Sequence, residues 1–414
     1  MGSPDGGGRA QSRMRSAPGQ ALDLRFLFLL SLQQLISWGS VFYGFSLFMQ
    51  PLEVSLQMTR AESSLGFSLA LLSEGLLAFW VGRWIDQGHE QRVMTGGSVL
   101  LGLAFWAHSQ VSTAAQFYAV WITMGVGLSA TLYPPAFTVI TRRFPNDFRR
   151  AIIWVTFMGG LASTVFIPLI AWMMDVVGWR DTMCWLAAMH LLVCAPLHYR
   201  LLKDAPQPQH LRVHEGQAPK ELHVHLKEPA FWLLGVFIVL MMMTTSALPA
   251  HMVSLLREAG MPQHWVLAVP ALIGVLQVVG RLGLYGLEKN LDVHQTNRWM
   301  PCLIPLGFVA LLMGSQHLVW ALMFVLLYGL GNGMLTIIKG TAIAQYISHE
   351  HMGSLNGALG IPLALARASA PWIMGLLWSA STGYQQGLLL MTALSAVGIS
   401  ALWWAQNRVL AGRE

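Results

Sequence analysis

Arg367 lies near the middle of a long apolar stretch that runs from about Leu355 to Trp378. A cation at the centre of a bilayer is energetically costly, so such a residue usually faces a protein interior or a water-filled cavity. Its guanidinium group offers two parallel donors that match a carboxylate. Arg367 is therefore a candidate for binding an anion. The alternative is a structural arginine that caps carbonyls released by Pro362 or Pro371.

A second set of polar side chains follows one face of the preceding apolar run. Its members are Tyr328, Asn332, Thr336 and Lys339. Their separations of three or four residues place them on one side of a helix. They could line a cavity together with Tyr43, which lies in the first apolar run. Lys339 is close to one end of its run and could instead extend to the membrane surface, so the sequence allows both roles.

Glu74 is the acidic residue that lies well inside a predicted span. Ionisable groups inside a membrane often belong to proton relays or to substrate sites. Three roles are open for this carboxyl group. It could carry a proton in coupled transport, it could be a neutral hydrogen-bonded group, or it could be the counter-ion of Arg367 or Lys339.

The composition indicates a membrane protein. Only 11% of the 414 residues are charged and 55% are hydrophobic, whereas soluble domains carry roughly 25% charge. A membrane-spanning helix needs about 20 apolar residues. Suitable runs lie near 24–48, 63–83, 93–109, 114–141, 150–174, 180–199, 229–255, 265–287, 299–315, 318–346, 354–378 and 384–406. We therefore predict an all-α membrane protein with twelve transmembrane helices.

Basic residues give the orientation of these helices, because Lys and Arg concentrate in cytoplasmic loops. With both termini in the cytoplasm, only Arg60, Arg180 and Arg257 fall in outer loops, although the chain holds 25 Lys and Arg. We therefore predict cytoplasmic termini. The basic residues lie in short segments between apolar runs, so the net charge of +6 does not indicate a nucleic-acid partner.

Sequence features of the N-terminal part of the chain recur in the C-terminal part. Three landmarks recur at nearly the same offset, namely Val81–Arg83 and Val279–Arg281, Pro168 and Pro371, and Gly178 and Gly383. This repetition predicts two six-helix halves, with a substrate site near the bilayer midplane between them. The predicted organisation is a disordered tail at 1–20, an N-terminal half at 21–199, a cytoplasmic central loop at 200–227 and a C-terminal half at 228–414.

Over nearly its whole length after residue 20, the chain resembles the major facilitator superfamily of secondary transporters. The most specific match is at the junction of the second and third spans, where Gly82 and Asp86 have the family's spacing and Arg92 keeps its basic end. The resemblance implies that Asp86 helps to latch the cytoplasmic side closed, with Arg142 and Arg143 as partners. The two arginines could instead be only cytoplasmic anchors.

Within that superfamily, Tyr133–Pro135 and Gly178–Arg180 look like the monocarboxylate and oxalate–formate branch. The resemblance implies an organic anion as substrate, since relatives of this kind place a cation in the eleventh span, as Arg367 does here. They often place another in the middle of the eighth span. This chain has Gln277 on that face, and Arg281 is expected closer to the cytoplasm.

These features predict a secondary active transporter that moves a small, monocarboxylate-like organic anion by alternating access, with a proton as coupling ion. One alternative is an efflux transporter for a hydrophobic compound or drug. Another is a membrane sensor that binds a ligand without moving it, which the lack of large soluble segments disfavours. No Walker sequence and no recognisable nucleophile or metalloprotease motif occurs, so we predict neither ATP-driven transport nor an enzyme.

The expected partners are a small-molecule substrate, a proton and the lipid bilayer. We expect no cofactor and no metal, although His210, His214, His223 and His225 lie close together in the central loop. We interpret that loop as a solvated linker. The expected location is the bacterial inner (plasma) membrane, as a multi-pass monomer.

Overall fold

The computed structural model describes residues 23–145, 147–203, 224–287, 292–348 and 351–411. In these ranges the chain is helical, and the one β-type pairing is an isolated bridge between Ser379 and Gly383. The predicted disordered tail at 1–20 and most of the central loop lie outside the described residues, as do His210, His214 and His223.

The helices follow one another with short connections. In chain order they are α1 (Leu24–Ser37), α2 (Phe45–Leu56), α3 (Arg60–Trp84), α4 (Glu90–Ser109), α5 (Ala114–Thr131), α6 (Tyr133–Arg143), α7 (Phe148–Gly160), α8 (Ala162–Met189), α9 (Ala195–Leu201), α10 (Pro229–Glu258), α11 (Gln263–Leu287), α12 (Val293–Trp299), α13 (Leu303–Gly314), α14 (Leu318–Tyr346), α15 (Met352–Ala358), α16 (Gly360–Leu376) and α17 (Gln385–Ala411). We call α1–α9 the N-terminal helices and α10–α17 the C-terminal helices.

Nine stretches of the described chain are long and apolar enough to cross a membrane. Two of them, Arg60–Ser109 and Arg150–Leu201, have 50 and 52 residues, far more than the roughly 20 that one crossing needs. Each is broken by a glycine with positive φ, Gly88 at 88° and Gly178 at 80°, a conformation that glycine adopts without steric cost. The predicted all-helical class is thereby confirmed for the described residues, with helices long and apolar enough to span a membrane.

The surface and the interior differ in the way a bilayer requires. Large apolar side chains such as Trp80, Trp172 and Trp185 are exposed, which suits contact with lipid and its interfaces. Inside, Phe45, Phe67 and Trp121 are fully buried, and Phe45 and Phe67 stack with ring centroids 4.8 Å apart.

Helix α3 packs directly against α16, and small residues allow this contact. Gly75 of α3 faces Ala364, and Gly375 of α16 faces Ser64 and the backbone of α3. The Ser68 hydroxyl also accepts a hydrogen bond of 3.0 Å from the backbone N–H of Trp372. This close packing brings an N-terminal and a C-terminal helix together along their length.

A similar close approach joins α11 to α14. A side chain at Gly333 would meet the backbone of Gln277, and one at Gly280 would meet the backbone of Leu330. The polar face of α14 therefore lies beside Gln277. On the N-terminal side, the first span contains a π-helical turn at Trp38–Tyr43, a local widening that often marks functional sites.

Candidate functional site

A cavity of about 150 Å³ lies between the N-terminal and the C-terminal helices. All seven residues that the sequence predicts for substrate binding line it: Tyr43, Gln277, Tyr328, Asn332, Thr336, Lys339 and Arg367. The structure thus brings these residues together from α11, α14, α16 and the π-helical turn of the first span. Their role in binding stays a prediction.

Three cations line this cavity, and no carboxylate does among the described lining residues. They are Arg281 of α11, Lys339 of α14 and Arg367 of α16. Lys339 is within electrostatic range of both arginines and of Glu74. Cations that are buried this close together favour an anionic ligand, because an unpaired charge away from water is costly.

Arg281, which the sequence places closer to the cytoplasm than Gln277, is also part of the cavity wall. Its Nη1 donates a hydrogen bond of 2.6 Å to the Thr156 carbonyl of α7. Its Nε is buried and has no hydrogen-bond partner in the described part of the chain. The hydroxyl groups of Tyr43 and Tyr133 also approach its guanidinium group. Arg281 therefore connects the C-terminal wall of the cavity to the N-terminal helices.

Arg367 forms an ion pair with Glu74 of α3, with 3.2 Å between Nη2 and Oε2. Glu74 is 4% exposed and lies behind the cavity wall. The Arg367 side chain is 18% exposed and lines the cavity, so it can still donate to a ligand there. Of the three roles open for Glu74, the geometry supports the counter-ion of Arg367.

The structural role considered for Arg367 is not the one observed. Within the described ranges its guanidinium group donates to no backbone carbonyl near Pro362 or Pro371. Lys339 likewise does not extend toward the membrane surface, because its Nζ lies 3.0 Å from the sulfur of Met242. A thioether is only a weak acceptor, so the ammonium group keeps most of its capacity to bind an anion.

The N-terminal wall of the cavity is aromatic. Trp38, Phe42, Tyr43 and Tyr133 line it from this side. The Trp38 ring centroid lies 5.0 Å from those of both Phe42 and Tyr133. The indole Nε1 of Trp38 is buried and has no hydrogen-bond partner in the described residues.

The residues predicted for the latch are arranged differently from the expected pairing. Arg142 Nη1 and Arg143 Nη2 lie 3.0 and 2.7 Å from the carboxylate of Glu90, whose side chain is fully buried. Asp86 is exposed and pairs with neither arginine in the described structure. Glu90 rather than Asp86 reaches these arginines, because it begins α4 and faces α6 directly.

Gly82 and Arg92, the other predicted latch residues, make no close contact of this kind. Nothing lies within 4 Å of a Cβ built at Gly82, and Arg92 is exposed. Their latch role stays a prediction. An acidic residue four positions after Asp86 was the signal that could have identified Glu90.

A second charged cluster, which sequence reasoning missed, joins the two sets of helices where α2 ends and α17 begins. Arg60 of α3 is paired with Glu53 at 2.6 Å and with Glu258 of α10 at 2.8 Å, and it contacts the Tyr384 hydroxyl. His251 lies 3.1 Å from that hydroxyl through Nδ1. We call these five residues the Arg60 cluster.

The Arg60 cluster reaches the helix that carries Arg367. His251 Nε2 lies 2.8 Å from the carbonyl oxygen of Pro371 in α16. This contact assigns the proton of the ring to Nε2, so that Nδ1 accepts from Tyr384. This hydrogen bond ties the cluster to α16.

Comparison with known proteins agrees with this architecture. The profile of the family described as Major Facilitator Superfamily matches residues 27–371. Over 384 residues the chain is 23% identical to YcxA, an uncharacterized MFS-type transporter of Bacillus subtilis (strain 168), covering 91% of this chain and 93% of that relative.

Solved transporters share the fold. A bacterial homolog of the human lysosomal transporter Spinster, crystallised inward-facing and unoccupied, superposes with a TM-score of 0.71 at 14% identity, covering 94% of this chain and 97% of the other. A mutant of the nucleoside transporter NupG gives 0.70 at 14% identity, covering 92% and 99%. At such identity the likeness concerns the fold alone.

Proposed function

The chain belongs to the major facilitator superfamily, a family of multi-pass membrane transporters rather than enzymes, and we propose that it is a secondary active transporter of a small organic anion. The observation that carries this proposal is the set of three cations in the central cavity, with no carboxylate in its described lining. Guanidinium and ammonium groups in a site shielded from water favour a carboxylate strongly.

We propose the predicted topology of twelve helices in two halves, 21–199 and 228–414, with both termini in the cytoplasm. The breaks at Gly88 and Gly178 support counting each of the two long stretches as two crossings. Helices α15 and α16 supply a further one. The proposed location is the bacterial inner membrane, and the proposed working unit is the monomer.

Proton coupling is proposed to act through the Glu74–Arg367 ion pair. An ionised Glu74 competes with the substrate carboxylate for Arg367, because both bind the same guanidinium group. Protonation of Glu74 removes that competitor and leaves Arg367 free. The substrate anion and the proton would then enter together, and charge within the cavity would stay balanced. The separation of 3.2 Å supports this competition.

Alternating access is proposed to open and close the two ends of the cavity in turn. The Arg60 cluster crosses from α3 to α10, and this contact supports a role in holding the outer end closed. Opening that end requires the Arg60–Glu258 pair to separate. At the inner end, Gly82, Asp86 and Arg92 are the proposed latch in the opposite conformation, with Glu90 holding Arg142 and Arg143 in place.

The resemblance to the monocarboxylate and oxalate–formate branch supports a monocarboxylate as substrate. Efflux of a hydrophobic compound is the second candidate, and the aromatic wall around Trp38 and Phe42 favours it. The three cations argue against a cationic drug, since like charges in a desolvated site repel.

The experiment is counterflow of labelled pyruvate and benzoate in proteoliposomes, with protein-free liposomes as the control for leakage. We expect saturable exchange in the wild type, loss of exchange in Arg367→Ala and partial recovery in Arg367→Lys, which restores charge without the bidentate geometry. Arg200→Ala, at an exposed position, is the matched control and should exchange normally. Absence of saturable exchange of both anions in the wild type, or undiminished exchange in Arg367→Ala, would sink the proposal.

A further inference from the structure

The two walls of the central cavity differ in chemistry. Every charged residue in the described lining comes from the C-terminal helices. The N-terminal side contributes Trp38, Phe42, Tyr43, Tyr133, Gly159 and Ile167. A ligand that contacts both walls therefore needs an anionic end and an apolar or aromatic end.

The aromatic residues on the N-terminal side form one connected surface. Trp38 meets Phe42 edge to face, with an interplanar angle of 66°, and it is tilted by 40° to Tyr133. Phe42 meets Tyr43 at 78° with centroids 5.4 Å apart. Such edge-to-face geometry is the arrangement that aromatic groups prefer, so the surface can accept one more ring.

Trp38 also carries a donor that nothing in the described structure uses. Its Nε1 is buried and has no hydrogen-bond partner there, although buried indole N–H groups usually have one. Trp38 lines the cavity, but its Nε1 is buried away from it, so the ring and not the N–H contributes to this wall.

The volume limits the size of that ligand. The cavity holds about 150 Å³, and an apolar cavity of roughly that volume accepts a benzene molecule. A single ring that bears a carboxylate and a small substituent fits in this volume. Fused ring systems of drug size exceed it.

We infer that the substrate is an aromatic carboxylate with a single ring, an inference that rests on the proposed function of anion transport. The carboxylate binds at Arg367 and Lys339 on the C-terminal side. The ring packs against Trp38, Phe42 and Tyr133. The substrate thereby contacts both sets of helices, which lets binding bias their relative movement.

The test measures binding of four carboxylates to the purified full-length protein by calorimetric titration: acetate, cyclohexanecarboxylate, benzoate and 4-hydroxybenzoate. We expect benzoate to bind roughly tenfold or more tightly than acetate, because burial of the ring adds to the carboxylate contacts. Benzoate should also bind about 2- to 10-fold more tightly than cyclohexanecarboxylate, which has no π-system. 4-Hydroxybenzoate should bind about as tightly as benzoate, because Trp38 Nε1 is buried away from the cavity.

Two variants of Trp38 separate its ring from its donor. Trp38→Phe keeps a ring and removes the N–H, so it should keep the preference for benzoate over acetate. Trp38→Leu should lower the ratio of benzoate affinity to acetate affinity roughly tenfold, and its thermal unfolding temperature reports that the variant is folded. Trp185→Phe, which changes an exposed tryptophan, is the control for both.

The outcomes distinguish this inference from the proposed function. Equal binding of acetate and benzoate by the wild type, or an undiminished preference for benzoate in Trp38→Leu, would overturn the aromatic substrate and leave anion transport standing. Failure of all four carboxylates to bind would overturn both. Equal binding of benzoate and cyclohexanecarboxylate would show that this wall binds any apolar ring and does not prefer an aromatic one. That result would also contradict the inference.

Discussion

At the scale of single residues, the site is defined by a surplus of positive charge. Arg281, Lys339 and Arg367 line one cavity, and the one carboxylate identified close to them is Glu74, which lies behind Arg367. A buried ion pair of this kind is costly to desolvate and contributes little net stability. We propose that the pair instead lets Arg367 exchange between Glu74 and the substrate carboxylate.

Glu74→Gln tests that role. The amide keeps the shape of the side chain but can neither ionise nor exchange a proton, so the competition at Arg367 disappears. We expect uptake of a labelled carboxylate to persist in proteoliposomes but to become independent of an imposed pH gradient. Asp175→Asn, at an exposed position, should keep the dependence seen in the wild type. Unchanged coupling in Glu74→Gln would remove its proposed role.

Much of this cavity could be predicted from the sequence, for a physical reason. Four of its residues, Tyr328 to Lys339, follow one face of α14, and helical periodicity reveals such a face. Arg281 was not predicted to belong to the cavity, because counting residues from a span end does not show which neighbouring helices a side chain faces. The close contacts between α11 and α14 depend on how the two backbones pack, and the sequence alone does not show this packing.

At the scale of helices, the contact between α3 and α16 determines where Glu74 and Arg367 meet. A Cβ at Gly75 would lie 2.5 Å from the Ala364 methyl group, so even a small side chain must push the helices apart. The sequence signals small residues in both helices, but it does not indicate that these two helices are partners. That partnership joins segments almost 300 positions apart in the chain.

Gly75→Val tests the helix contact. We expect uptake to fall at least roughly tenfold, because separation of α3 from α16 breaks the Glu74–Arg367 pair and overpacking a tight contact costs about 1–3 kcal/mol. Gly96→Ala is the matched control, since nothing lies within 4 Å of a Cβ at that position. Normal uptake in Gly75→Val, at equal amounts of protein in the membrane, would show that the close contact is not needed.

At the scale of the whole molecule, charge pairs hold the two sets of helices in the observed conformation. The Arg60 cluster joins them at one end, and the Glu74–Arg367 pair joins them at the cavity. Hydropathy and charge asymmetry predicted the helical class from the sequence. They did not predict the cluster, because Arg60, Glu258 and Tyr384 are far apart in the chain and none forms a local motif.

The division of the cavity into an aromatic wall and a cationic wall could not be predicted from the sequence either. Trp38 and Tyr133 look like ordinary apolar core residues within their spans, and only the folded arrangement sets them opposite three cations. That opposition is the main feature of the molecule, since it gives one end of a ligand a charge to bind and the other end a ring to pack against.

The most direct test of this account is charge selectivity in one competition measurement. Labelled benzoate is exchanged in wild-type proteoliposomes against excess unlabelled benzoate, benzamide or benzamidine, three compounds of nearly one shape that are anionic, neutral and cationic. We expect benzoate alone to compete, because only an anion balances Arg281, Lys339 and Arg367. Competition by benzamidine as strong as that by benzoate, or the absence of any benzoate exchange, would contradict the account.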